Sequence, residues 1–571
     1  MRKLPIAVLF GSTLLFAVAP VLAQIPANEK NCPATTAIPP FVGPGTSAFS
    51  RNQNLCLPQL APVPTGLSPL AFIVQGVEPG DRVDSQGSIY VVSIRGVPGG
   101  VDLWRWDQAL DGPPNSAGSI QGTLPFKYEG QPDNCGIFSF TAGGCANNVG
   151  SPENLGLAPG GGDADIAVNS PDPVTSVPNL PLTSLTLAPG VTATHSTNRG
   201  DSFSPPNVVA TLIPGDDRMW NDAIDPSTVY MSYHDVATFN IEVQRSNDGG
   251  VTYLNGAGEA IDAATLPAAG SLVPTNTANT LGQIRIDHSQ CPSRGNLYQI
   301  FVAPDSATEN NAGGPQRTVY VGVSTDAKAG LLSFTFSDHK VFTNPAGSLG
   351  AKNGAGNIFP ALATDDFGYL YAVWSDNSNI WFSSSSNQGA AWTAPVRVNS
   401  GATVGNANVF PWVAADANGH AVVVWLGDNM PGNSNDSSKL EQTCSNGTNS
   451  CWAKWSVYAA ETVNGHSAAP AFAQYTASDH IIHYGTVSTG GLGGNANRNL
   501  ADFFQVALDR QHRANISFAD DHVHSPLCTS QSPGHCADND PQSFREGVPY
   551  FTYQLRTNPH IVTSGVCAVA P

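Results

Sequence analysis

Charged residues make up only 12% of this 571-residue chain, yet they gather in short clusters. "GDRVD" carries Asp81 and Arg82, "GDADI" carries Asp163 and Asp165, and "DDRMW" carries Asp217 and Arg218. "IRIDH" adds Arg285, and "RNLADFF" adds Arg498 and Asp502. A guanidinium is planar, always charged, and grips a carboxylate through two parallel hydrogen bonds. Brought together, Arg82, Arg218, Arg285 and Arg498 with Asp502 would form a binding clamp for an anionic ligand. Asp217, if burial raised its pKa, would be an acid able to protonate a glycosidic oxygen. The same residues admit a structural reading. In "DDR" and "RNLAD" an Asp stands beside the Arg or four residues from it, as in ion pairs that join neighbouring elements.

Two histidine clusters carry other chemistry. "FADDHVHS" places Asp520, His522 and His524 close together, and "ASDHIIHYG" holds His480 and His483. His522 and His524 alternate on one strand face, as metal ligands sometimes do; solvated loop residues are the plain alternative. No metal ligand is assigned, and no cofactor. Calcium suits an Asp-rich exported chain, but no DxDxDG loop is present. P-loop, Rossmann and G-x-S-x-G motifs are absent.

The clusters fall at one place in a repeat. "IFPALATDDFGYLYAVWSD" aligns without gaps to "VFPWVAADANGHAVVVWLG", pairing Phe359, Pro360, Ala363, Asp365, Gly368 and Trp374 with Phe410, Pro411, Ala414, Asp416, Gly419 and Trp425. "FFQVALDRQHRANISFADD" fits the same frame around Asp509, and weaker copies centre on Asp84, Asn169, Asp225 and Asp287. Each copy reads as strand, tight turn, strand, with Asp opening the turn and a β-branched or aromatic strand following. The charged clusters precede or enter the first strand of each copy, and Asn357 and Asn406 occupy that place in the two best copies. Units repeated this way predict an all-β fold, a β-propeller of four-stranded antiparallel blades, seven by count with six as the alternative. A tandem of β-sandwiches is the rival.

A second device recurs. "STNRGDSF", "SNDGGVTY" and "SSNQGAAW" share Ser-x-Asp/Asn-x-Gly-x-x-aromatic spacing, and "STDAKAGLLSF" is a worn copy. Asn198, Asp248, Asp326 and Asn387 would accept hydrogen bonds from turn amides, the Gly would supply a positive φ, and the aromatic would enter the next strand. These are parts for holding a hairpin shut. The pattern resembles the Asp-box repeat of bacterial neuraminidases, or sialidases, and related propellers, over roughly Asp81 to Arg556. That resemblance implies a propeller and an exo-glycosidase acting on sialic acid or another acidic sugar. Asp boxes also occur in propellers of other activity, so a non-catalytic propeller that binds glycans or proteins outside the cell is the alternative. Sialidases use an arginine triad, a Tyr nucleophile with a Glu helper, and an Asp acid. By that resemblance Tyr233 in "MSYHD" and Glu242 take the nucleophile and helper roles, with Asp217 as the acid. Arg82 stands where the first triad arginine sits, although "GDRVD" replaces the usual Arg-Ile-Pro. Six blades would match the sialidases themselves.

The compartment follows from the ends and the cysteines. Arg2 and Lys3 precede an apolar run closing on small residues near Ala23, the pattern of a secretory signal over residues 1–23. Ten cysteines follow it, and their spacing suggests Cys32–Cys56, Cys135–Cys145, Cys444–Cys451 and Cys528–Cys536, leaving Cys291 to pair with Cys567. No C-x-x-C occurs, which argues against thiolate zinc. The formal charge of −19 disfavours nucleic acid and anionic lipid as partners. Gly 57 and Pro 45 suit many turns, and with only ten Glu among 44 acids the excess of Asp points the same way. The expected product is a secreted or periplasmic monomer without a membrane span, its partner a glycan or an extracellular protein. Its propeller would run over residues 71–571. The Pro-rich segment 24–70 would be a tail or the strand that completes the last blade.

Overall fold

Each of the seven turn residues picked out by the repeat lies between the first two strands of an antiparallel sheet. In the computed structural model, residues 43–571 are described apart from 56–75, 98, 109–125, 134–159, 170–176, 187–189, 209, 212–215, 236–237, 263–277, 307, 310–313, 346–353, 443, 445–450, 492–495 and 523–546. The signal-like segment, Cys32, Cys56, Cys135, Cys145, Cys528, Cys536 and His524 lie outside the described residues.

Strand β1 (Gln53–Asn54) belongs to the last sheet. The first sheet holds β2 (Val77–Val83), β3 (Ser88–Ile94), β4 (Val101–Asp107) and β5 (Lys127–Gly130) in sequence order. The second holds β6 (Ala164–Ile166), β7 (Leu180–Leu185) and β8 (Val191–Ser196), with Asn207 bridging Ala193 where the other sheets carry a fourth strand. The third is β9 (Asp216–Ala223), β10 (Val229–Asp235), β11 (Ile241–Ser246) and β12 (Ala257–Glu259). The fourth is β13 (Thr280–Ile286), β14 (Leu297–Ala303), β15 (Thr318–Ser324) and β16 (Ser337–Thr343). The fifth is β17 (Ala361–Thr364), β18 (Leu370–Ser375), β19 (Ile380–Ser385) and β20 (Val396–Arg397). The sixth comprises β21 (Asn406–Ala415), β22 (Ala421–Pro431), β23 (Lys454–Thr462) and β24 (Ala473–Thr476), with β25 (His483–Tyr484) also on β23. The seventh comprises β26 (Gln505–Leu508), β27 (Ala514–Asp520) and β28 (Val548–Tyr553), finished by β1.

First strands touch in the order β2, β6, β9, β13, β17, β21, β26 and back to β2, which closes a ring. The fold is a seven-bladed β-propeller, as the repeat count predicts, and not the six-bladed form. Because each blade is covered on both faces by its neighbours, middle strands such as β3, β14, β15 and β27 are buried at every residue. Hydrophobic cores lie between adjacent blades, for example Tyr298, Ile300 and Val321 against Leu362, Ala372 and Trp374.

Both chain ends lock the ring. Gln53 and Asn54 pair antiparallel with Phe551 and Tyr550, and Leu55 is buried with Trp106, Phe126 and Phe551. Within the segment read as either a tail or the closing strand, Gln53 and Asn54 complete the last blade. At the other end the chain after β28 runs back beneath earlier blades. Asn418 N donates to Val562 O at 2.9 Å, Ala568 N to Phe367 O at 2.8 Å, and Val569 N to Ser386 O at 2.9 Å. The Cys291–Cys567 disulfide, with Cα atoms 5.7 Å apart, fastens this strap to the fourth blade. Cys444–Cys451 closes the short loop expected.

Candidate functional site

The entry ends of the first strands are strained and bulged. Arg218 is the extra residue between Met219, opposite Tyr233, and Asp217, opposite His234. Comparable register shifts follow Val77 and Val409. Arg218, Glu78, Phe410 and Ala501 all take the left-handed conformation, at φ 54°, 50°, 55° and 56°. Bulges re-aim side chains, and left-handed non-glycine residues persist only where surrounding structure holds them.

Arg218 is the centre of the result. Its Nη1 lies 3.0 Å from Glu78 Oε2 and 3.2 Å from Asp163 Oδ1, and its Nη2 lies 2.9 Å from Asp502 Oδ2. Arg498 grips the same Asp502 through two bonds of 2.8 and 2.9 Å, and the Asp502 amide donates to Glu78 Oε1 at 3.1 Å. Beneath the Arg218 guanidinium lie the rings of Phe359, at 4.6 Å, and Phe503, at 5.4 Å. Trp220 stacks its edge within 6.0 Å of Phe359, 5.1 Å of Trp412 and 4.8 Å of Phe503. Rings from the third, fifth, sixth and seventh blades thus plug the axis just below Arg218.

This mouth holds carboxyl groups in unequal states. Burial pushes Glu78 well up, Arg218 offsets only part of that, and Asp163 and Asp502 push the same way. Asp217 is also raised, by burial and by Asp163, yet its side chain is exposed at the rim. Burial would lower Arg218, but Asp163, Glu78, Asp502 and Asp217 together raise it. Arg498 keeps 26% of its side-chain area in solvent and Asp163 keeps 13%. The mouth therefore offers carboxylate acceptors and one half-exposed guanidinium.

The expected arginine set divides in two. Arg218, Arg498 and Asp502 meet at the mouth. Arg82 and Arg285 lie further along the first strands, past the aromatic plug. Arg82 Nη2 is 2.8 Å from Asp165 Oδ1, its Nη1 donates to Gln505 Oε1, and Asp165 Oδ2 accepts the Asn221 amide at 2.8 Å. Arg285 Nε donates to Leu362 O at 3.0 Å, and burial with the nearby Arg82 lowers it to about 10. Asp81 is buried between the first and last blades beside Ser517. Asn357 and Asn406 bond to backbone carbonyls of Ser375, Ala402 and Asp428. Tyr233 and Glu242 stand opposite each other on β10 and β11, away from the axis. Tyr233 is 0% exposed, packs between the second and third blades with Val191, Ala193 and Tyr253, and accepts a 2.9 Å bond from Gln244 Nε2. A phenol enclosed by apolar side chains cannot meet a sugar at the mouth, so the nucleophile and helper roles given to Tyr233 and Glu242 do not fit this geometry.

The two histidine clusters singled out in the sequence are joined through carboxylates. His480 lies between Asp479, 2.8 Å from Nδ1, and Asp520, 2.5 Å from Nε2. His483 Nδ1 is 2.9 Å from Asp521 and its Nε2 is 2.8 Å from Thr486 O, while the His522 ring packs 5.4 Å from His480. Asp479 also accepts the amides of Gly45 and Asn52, tying the N-terminal segment to the sixth blade. A different trio is only part-visible in sequence, since Asp416 and His420 stand four residues apart but His512 lies 96 residues from Asp416. Asp416, His420 and His512 converge from the turns of the sixth and seventh blades. Repeat alignment alone would have found it, because Asp416 and Asp509 are equivalent turn positions and His512 falls where Gly419 does.

No known family profile and no curated protein matches the sequence. Among solved structures, it is similar to a protein of unknown function from Dyadobacter fermentans, at 11% identity over 69% of this chain and 94% of that one, TM-score 0.37. An α-L-arabinofuranosidase from Fusarium graminearum is similar at 12% identity over 62% and 88%, TM-score 0.35. A fucose-specific lectin from Aleuria aurantia is similar at 9% identity over 72% and 98%, TM-score 0.34. None of these likenesses bears on activity. Among the described residues no helix is long and apolar enough to cross a membrane.

Proposed function

We propose that the protein is an exported, non-hydrolytic propeller that binds uncharged, hydroxyl-rich glycans at the mouth of its channel. One observation carries this reading. Arg218, the guanidinium best placed to grip a ligand carboxylate, is already held by Glu78, Asp163 and Asp502. Even with Glu78 set aside, Asp163, Asp502 and Asp217 outnumber Arg218 and Arg498, so an acidic sugar would meet repulsion while hydroxyl groups would find acceptors and the Arg498 donor. Paired cysteines and the signal-like start support export. The sialidase reading of the Asp-box resemblance asks for free arginines facing a Tyr, and that support is missing.

The test is binding to an immobilised panel of neutral and sialylated glycans, beside hydrolysis of a fluorogenic sialoside. Wild type should bind neutral glycans, Arg498→Ala should lose at least about tenfold in affinity, and neither should turn over the sialoside. Sialoside turnover that Arg498→Ala abolishes would overturn the reading in favour of an enzyme.

A further inference from the structure

We propose that Asp416, His420 and His512 form a zinc site on the face opposite the mouth. Asp416 opens the β21–β22 turn of the sixth blade, and His420 ends that turn. His512 comes from the β26–β27 turn of the seventh. The Asp416 carboxylate spans both rings, with Oδ1 2.5 Å from His420 Nδ1 and Oδ2 2.8 Å from His512 Nδ1. The ligand atoms all lie within 4.8 Å of one another. Tetrahedral bonds of about 2.0 Å separate ligand atoms by roughly 3.3 Å, so small side-chain shifts would admit the ion.

Three further features single out this trio. His420 is fully buried, and its other nitrogen, Nε2, lies 3.0 Å from Glu461 Oε1. Glu461 is itself buried and takes a 3.1 Å bond from Gln554 Nε2. With Nε2 turned to Glu461, the ring presents Nδ1 to the Asp416 carboxylate. A carboxylate behind a ligating imidazole is the usual support of such sites. Next, His512 sits at φ 61°, the left-handed place that Gly368 and Gly419 fill in sister turns at φ 76° each. A side chain is held there against its backbone preference, and it aims at Asp416. Finally, Asp416 and His512 remain partly open to solvent, with the exposed Asp366 beside them, leaving room for water or a fourth ligand. Two imidazole nitrogens and one carboxylate oxygen suit zinc, whereas calcium takes six to eight oxygens.

The experiment strips the full-length mature chain with chelator, equilibrates it against zinc, and measures bound metal by mass spectrometry, with cobalt(II) absorption reporting coordination. Wild type should hold about one zinc per chain, and cobalt should give the visible bands of a tetrahedral site. His512→Gly restores the residue of the sister turns, so it should fold at least as well yet lose zinc by more than about tenfold. Glu461→Gln should weaken binding by about 10–100-fold. Wild type that retains no zinc, or zinc content unchanged in His512→Gly, would overturn the site.

Discussion

Arg218 and Arg498 touch the same carboxylate but differ in what surrounds them. Arg218 is buried against three acids, and removing one member of a buried charge network leaves the others uncompensated. Arg218→Ala should therefore lower unfolding free energy by roughly 3–5 kcal/mol in urea titration. Arg498 is partly solvated, and Asp502 keeps Arg218 when it goes, so Arg498→Ala should cost under about 1 kcal/mol. That contrast makes Arg498 the residue for binding tests. His480 gives a pH dependence. Burial would lower it, but Asp520 and Asp479 raise it to about 10 from the ordinary 6.5. A folded value above the unfolded one means its ion pairs stabilise fully below about 6.5 and fade as pH climbs through about 10. Melting temperature should accordingly fall between about pH 7 and 10.5, with a shallower slope in His480→Gln.

At the scale of the element, the Asp boxes are hairpin fasteners. In each, the Ser that ends the third strand bonds the Asp or Asn two residues on: Ser196 to Asn198 at 2.8 Å, Ser246 to Asp248 at 2.7 Å, Ser324 to Asp326 at 2.9 Å and Ser385 to Asn387 at 3.0 Å. Asp248 then accepts the amides of Val251 and Thr252, and Tyr253 is buried between blades. A related turn escaped the sequence pattern because Thr replaces Ser, Gly465 follows Asn464 directly and Phe472 comes later than the pattern's aromatic: Thr462 Oγ1 bonds Asn464 at 2.9 Å, and Asn464 accepts the Ala471 amide. Two glycines separate backbone strain from crowding. Gly250, φ 96°, has Pro181 Cβ 2.4 Å from where a Cβ would stand, while Gly405, φ 81°, has nothing within 4 Å. Gly405→Ala should cost only the left-handed penalty of about 1–2 kcal/mol. Gly250→Ala should exceed it by about 1–3 kcal/mol of overpacking, as urea unfolding of the two variants would measure.

At the scale of the molecule, closure depends on segments distant in sequence. β1 completes the seventh blade, and the Cys291–Cys567 bond spans 276 residues to hold the C-terminal strap beneath the fourth blade. Replacing both cysteines by Ser should lower stability by about 2–5 kcal/mol, read as a drop in the denaturation midpoint that reductant reproduces in wild type. Loss of residues up to 55 would bare the β28 edge and unpack Leu55 from Phe551 and Trp106.

Local chemistry was legible without coordinates. The Asp-led turns at Asp84, Asn169, Asp225, Asp287, Asp365, Asp416 and Asp509 depend on neighbours within a few positions, so composition and spacing revealed all seven hairpins and the blade count. The Cys291–Cys567 bond followed by elimination. What the arginines contact did not follow, because Arg218 meets Glu78 and Asp502 from the first and last blades, 140 and 284 residues away. Nor did the meeting of Asp416 with His512, which depends on two blades standing side by side. Hairpins are set by short-range hydrogen bonding that a sequence carries in its spacing. The channel is set by which blades face one another once the ring closes, and only tertiary structure decides that.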